Sequence, residues 1–127
     1  MDETYTNLVT KFIEAYKLYD IDTMLLLVRP EISFKSVSRG SIDAQTVGRE
    51  DFRKVAFHST QLFTEIRREV ISLLVIGNRV IAEIKYHAVV AHHSSEGLGK
   101  GSSIDIDGKS EYAFRDGLIS SIVDETW

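Results

Sequence analysis

One change of rhythm constrains this chain more than any other feature. Up to about Glu65, apolar residues recur at intervals of three and four; beyond it they recur at every second position. The stretch EVISLLVIGNRVIAEIKYHAVVAHH reads as two long strands folded about Gly77-Asn78. In the second of them Val80, Ala82, Ile84, Tyr86, Ala88 and Val90 share one face. Ile81, Glu83, Lys85, His87, Val89 and Ala91 share the other. SSIDIDGKSEYAF supplies a further strand, with Ile104, Ile106, Ser110, Tyr112 and Phe114 in phase. Asp116-Gly117 turns the chain into a final strand. HHSSEGLGKGSS, rich in Gly and Ser, reads as a mobile loop between strands.

The N-terminal half has helical period. Leu8, Val9, Phe12, Ile13 and Tyr16 form one helix face, with Thr6 or Asn7 as cap. A short second helix starts at Asp20 or Asp22, is filled by Met24 to Leu27, and is stopped by Pro30. EISFKSV alternates as a strand, with Ile32, Phe34 and Ser36 on one side, and RGSIDAQTVG reads as a loop. Gly48 opens a third helix whose stripe is Phe52, Val55, Ala56, Ser59, Leu62 and Phe63. Helices segregated from a long antiparallel meander predict an α+β domain covering residues 1–127. Long curved strands covered by helices on one face can form a cone that encloses a pocket.

The final strand poses the functional question. LISSIVDETW places Leu118, Ser120, Ile122, Asp124 and Thr126 on one face, and Ile119, Ser121, Val123, Glu125 and Trp127 on the other. Both faces look half-buried, and each carries one carboxylate. If Tyr112 and Phe114 face the pocket, the hairpin register turns Ile122, Asp124 and Thr126 toward it as well.

Composition removes several function classes. The formal net charge of -4 gives no pull toward nucleic acid or an anionic membrane. The absence of Cys removes disulfides and thiolate chemistry and fits a cytoplasmic setting. The N-terminus starts acidic, without the order of a signal peptide, and the runs MLLLV and VISLLVI are too short to span a bilayer. His92 and His93 are neighbours and would point apart in a strand; no metal spacing is present. Asp105-Ile106-Asp107-Gly108 has strand-like flanks rather than a calcium loop, and GLGKG lacks a strand-to-helix context for phosphate. No cofactor motif is found.

The run FIEAYKLYDIDTMLLLVRPEISFKS resembles the opening of the nuclear-transport-factor-2-like superfamily, in its SnoaL-like and ketosteroid-isomerase-like branches. TVGREDF and the closing EYAFRDGLISSIVDE match in order and spacing. The resemblance implies a conical, cystatin-like α+β fold with a deep pocket, and a homodimer through the outer sheet face. It leaves function open, because the superfamily holds isomerases, cyclases, dehydratases, epoxide hydrolases and proteins without chemistry.

The residues speak against ketosteroid isomerase. That chemistry needs a carboxylate base and an oxyanion hole of Tyr and protonated Asp. The matching positions hold Phe12, Ser36 and Ser110. A dehydratase-like set fails at Lys17 and Ser36. An epoxide-hydrolase-like set needs an Arg in the pocket, and no in-phase strand position is read as supplying one. SnoaL-like cyclases resemble what remains, an acidic residue late in the chain acting as base, here Asp124. The pocket expected to bind a small hydrophobic molecule is walled by Phe12, Tyr16, Phe34, Ser36, Tyr86, Ser110, Tyr112 and Phe114. Glu125, on the far face with Glu83, Lys85 and His87, is expected to pair across strands. Ile81, Val89, Ile119, Val123 and Trp127 are expected on that same outer face, as a dimer surface. The alternative is a non-catalytic ligand-binding or association module.

Overall fold

The structure is a computed structural model that describes residues 2–91, 99 and 101–127. The chain runs α1 (Asp2–Lys17), α2 (Ile21–Leu26), β1 (Val28–Ser38), β2 (Ser41–Val47), α3 (Arg49–Leu62), β3 (Phe63–Ile76), β4 (Arg79–Val90), β5 (Ser103–Arg115) and β6 (Leu118–Thr126). The six strands form one sheet in the order β2-β1-β6-β5-β4-β3. This is the α+β arrangement that the change of period predicts.

Local chemistry explains the breaks. α1 starts at Asp2, so Thr6 and Asn7 lie inside it rather than capping it. It ends where Tyr19 takes a left-handed φ of 57°. There Tyr19 N–H donates to Tyr16 O and Asp20 N–H donates to Ala15 O, the double closure of a Schellman turn. Asp20 then caps α2, accepting from Thr23 N–H at 3.2 Å and from its hydroxyl at 2.6 Å. Arg39-Gly40 and Asp116-Gly117 both carry positive φ at each residue. That pair of conformations matches the right-handed twist of the hairpins they close.

Four sequence expectations need correction. SIDAQTV is not loop but strand β2, antiparallel to β1; its alternation is hidden by small and polar residues. Pro30 lies within β1 rather than ending α2, at a point where β1 has no registered partners in β6 between Val28 and Ser33. A tertiary amide without N–H fits such a gap. Phe63 begins β3 instead of closing α3, and Leu62 is exposed. The sheet is not wholly antiparallel, since β1 runs parallel to β6.

The core gathers Val9, Phe12 and Ile13 of α1, Met24 of α2, and Phe52 and Ala56 of α3. These pack over Ile32 and Phe34 of β1, Val80, Ala82 and Ile84 of β4, Tyr112 and Phe114 of β5, and Ile119 and Ile122 of β6. Ile119 corrects the outer-face expectation: it is fully buried. A bulge shifts the β5–β6 register so that Phe114 faces Ile119 while Ala113 faces Ser121. One extra residue turns every side chain beyond it to the other face. Among the described residues no helix is long and apolar enough to cross a membrane.

Candidate functional site

Register places the polar interior. One row of the sheet runs Ala82, Ser110, Asp124 and Ser36 across β4, β5, β6 and β1. Ser110 and Asp124 are direct neighbours in it, and the Ser110 hydroxyl donates to Asp124 Oδ1 at 2.7 Å. A second row carries Arg68, Tyr86 and Ile106 across β3, β4 and β5. Between the two rows, on the same face, β5 has Gly108, buried and without a side chain.

That gap lets Tyr86 lean across β5 to Ser110, their hydroxyls 3.3 Å apart. Ser110 spends its only proton on Asp124, so Tyr86 is the donor. A chain Tyr86→Ser110→Asp124 results.

Two spaces adjoin these residues. The inner one is lined by Phe12, Ile13, Tyr16, Phe34, Phe52, Arg68, Ser110, Tyr112, Ile122 and Asp124. Its free volume is about 10 Å³, room for about one water. The outer one is an open cleft of about 890 Å³ between α1 and strands β3 to β5. Thr10, Glu14 and Lys17 line it from the helix, and Arg67, Glu69, Val70, Lys85, Tyr86, His87, Asp105, Ile106 and Asp107 line it from the sheet. Ile13 and Arg68 belong to both, and so form the wall between them.

Electrostatics divide these groups. Asp124 is half-buried as a residue, with its carboxyl packed round by protein. Burial raises its pKa above the ordinary carboxylate value, against the opposing pull of the Ser110 hydrogen bond and the Arg68 charge. Burial also pushes the Tyr86 phenol up to about 12, and the nearby Asp124 adds to the rise. Tyr112 is raised for the same two reasons. The guanidinium of Arg68 lies 3.6 Å from the centroid of the Tyr16 ring and 5.3 Å from that of Tyr86. Burial works against its charge, but Tyr16, Tyr86 and Asp124 outweigh it and its pKa is raised. Its Nη1 is buried without a hydrogen-bond partner.

The structure therefore brings Phe12, Tyr16, Phe34, Ser110, Tyr112 and Asp124 to the inner space, and sets Tyr86 on the outer cleft. Two candidates fall outside both. Phe114 stacks on Tyr5, ring centroids 4.4 Å apart, because it lies beside the β5–β6 turn. Ser36 shares Asp124's row but borders neither space, lying beside the irregularity between Ser36 and Val37. Glu125 pairs with Lys109 directly opposite it at 3.6 Å, not with the residues of β4.

Arg68 overturns the statement that no strand position supplies an Arg. Its signal was period two: Ile66, Arg68 and Val70 alternate, but RREV reads as a charged strand start. Among the described residues no three His, Asp or Glu side chains gather to hold a metal. His92 and His93 lie outside those residues.

The model of the SnoaL-like domain matches residues 9–122. The chain belongs to this family, within the nuclear-transport-factor-2-like superfamily. Solved structures share the SnoaL-like fold. A proposed SnoaL-like polyketide cyclase of Shewanella denitrificans superposes with a TM-score of 0.82 at 17% identity, over 97% of this chain and 90% of that one. A proposed polyketide cyclase of Xanthomonas campestris gives 0.77 at 25% identity, covering 97% and 90%. The proposed polyketide cyclase IdmH of Streptomyces antibioticus gives 0.80 at 14%, covering 96% and 91%. None of the curated proteins matches the chain.

Proposed function

We propose that this SnoaL-like domain binds a small molecule and moves a proton on it through Asp124, in a reaction of cyclase or isomerase type. The observation that carries the reading is a carboxyl held among aromatic rings, with its pKa raised by burial and one oxygen fixed by Ser110. A raised carboxyl holds its proton nearer the working pH, where general acid–base catalysis is most efficient. Ser110 fixes the orientation of Oδ1 and leaves Oδ2 to exchange the proton. A carbonyl compound protonated at oxygen, or deprotonated at the neighbouring carbon, is the matching substrate class. The cyclase names of the structural neighbours support the same class. Phe12, Ser36 and Ser110 at the steroid-isomerase positions speak against that activity.

Asp124→Asn keeps the shape and an acceptor for Ser110 but cannot transfer the proton at neutral pH. In a screen of small carbonyl compounds, turnover by the wild type should fall ~10²–10⁴-fold in this variant. Equal turnover by the two proteins would refute the role. A second reading, a binding protein without chemistry, is favoured by one observation: the free space beside Asp124 is only about 10 Å³. A ligand must shift Arg68 or Ile13 to reach it.

The outer sheet face supports a homodimer. Leu74 and Ile76 of β3 lie there, each 55% exposed, with Trp127 60% exposed at the chain's end. The register opposes Leu74 to Ile81, so the two extend one apolar surface.

A further inference from the structure

We propose that Arg68 is the receptor for a carboxylate group, so that the ligand of this domain is an organic acid whose body occupies the outer cleft. The inference deepens the reading of this interior as a small-molecule site and rests on that reading.

Arg68 holds an unspent set of donors. A guanidinium offers five N–H groups in a rigid fork and never gives up its charge. Among the described residues Arg68 has no hydrogen bond and no ion pair; Asp124 lines the same space but makes no salt bridge with it. Its direct contacts are ring faces, Tyr16 at 3.6 Å and Tyr86 at 5.3 Å, while Asp124 acts on its charge without touching it. Ring faces stabilise a cation without using its N–H groups. They also fix the plane of the fork. Nη1 is sealed from solvent and unpaired, a state that buried polar groups rarely keep.

The geometry selects the ligand class. A planar carboxylate accepts two parallel bonds from such a fork. Arg68 forms part of the wall of the cleft of about 890 Å³, so an acid can meet the guanidinium from that side with its body outside the small inner space, and pairs with the sealed Nη1 as the side chain turns toward it. That cleft offers Ile13, Val70, Tyr86 and Ile106 to an apolar body, and the four carboxylates in its lining are matched in number by Arg68 and three further cations. A neutral amide or ester of the same shape brings no charge to the fork.

The test is binding, not turnover. Acetate, benzoate and 2-naphthoate are titrated into the full chain by calorimetry, beside benzamide and methyl benzoate as neutral isosteres. At least one acid should bind with a Kd of about 1 mM or tighter, and the isosteres at least about tenfold more weakly. Arg68→Met, checked for folding by circular dichroism, should lose the acid's binding. Arg68→Lys, which keeps the charge but not the fork, should weaken it and serves as the second variant if Arg68→Met does not fold. Asp124→Asn removes the carboxyl that competes for the Arg68 charge, so it should bind the acid at least as tightly as the wild type while losing turnover, which separates this inference from the catalytic reading. Binding of isosteres equal to that of acids, undiminished binding in both Arg68 variants, or no acid binding at about 10 mM would each overturn it.

Discussion

Replacing Gly108 by alanine opposes two effects of opposite sign, and the structure decides between them. Glycine inside a strand weakens it, and its φ here is not left-handed, so an alanine fits the backbone conformation. On that ground alone Gly108→Ala should stabilise by about 0.5–1 kcal/mol, through a less free unfolded chain. The added Cβ, however, would stand 2.6 Å from the Glu125 carbonyl oxygen, 2.9 Å from Tyr86 Cε2 and 3.1 Å from Thr126 Cγ2. The first contact is with backbone in the neighbouring strand, which cannot rotate away. Forcing a methyl group into a packed interior costs about 1–3 kcal/mol. The steric cost wins, for a net loss of about 1–2 kcal/mol. At this chain length that lowers Tm by about 3–8 °C. Thermal unfolding followed by circular dichroism reads it, with Lys109→Ala on the exposed face as a control within about 0.5 kcal/mol of wild type. Because Tyr86 must give way, the Gly108 variant should also bind the acid probe more weakly. An alanine variant as stable as the wild type would refute the close packing of Tyr86 over β5.

Asp124 sets a pH dependence of stability. Its pKa is raised on folding, so the native state holds the proton more tightly than the unfolded chain does, and stability falls as pH rises from the unfolded value through the folded one. Asp124→Asn removes that loss: urea midpoints of variant and wild type should converge below about pH 4 and favour the variant increasingly at neutral pH. On the outer face, Leu74→Glu should turn a dimer into a monomer in light scattering without changing the circular dichroism spectrum. A wild-type protein that is already monomeric at tens of micromolar would remove the interface.

The fold was legible because alternation survives wherever strands bury one face. Val80, Ala82, Ile84, Tyr86, Ala88 and Val90 are all inward or partly buried on one side of β4. The segment SIDAQTV was not legible, since an edge strand with exposed Ile42 and Val47 has no apolar phase to display. Ile119 was placed on the wrong face because a bulge leaves no trace in composition. Strict alternation carried backward from Asp124 predicts the wrong side beyond Ser121.

The interior was legible in half. Asp124, Ser110 and Tyr112 could be grouped by the alternation of each strand, but the two-residue turn alone, pairing Arg115 with Leu118, would set Ser110 opposite Val123; the bulge between Ala113 and Phe114 is what brings it opposite Asp124. Arg68 could not, because a pocket arginine and a surface arginine are the same letter. What separates Arg68 from Arg67 is one step of phase: Arg67 pairs opposite His87 on the open face, Arg68 opposite Tyr86 on the covered one. Gly108 is the complementary case, a residue whose meaning is the side chain it lacks. Its gap admits the Tyr86 ring, whose hydroxyl feeds Ser110 and whose face steadies Arg68. A buried arginine and a buried carboxyl that do not close into an ion pair are costly to hold apart. Protonating Asp124 relieves the burial of its own charge, and an arriving carboxylate would pair the charge left on Arg68. The arrangement is thus poised to gain by binding an acid, and a pocket that only enclosed apolar ligands would have no use for it.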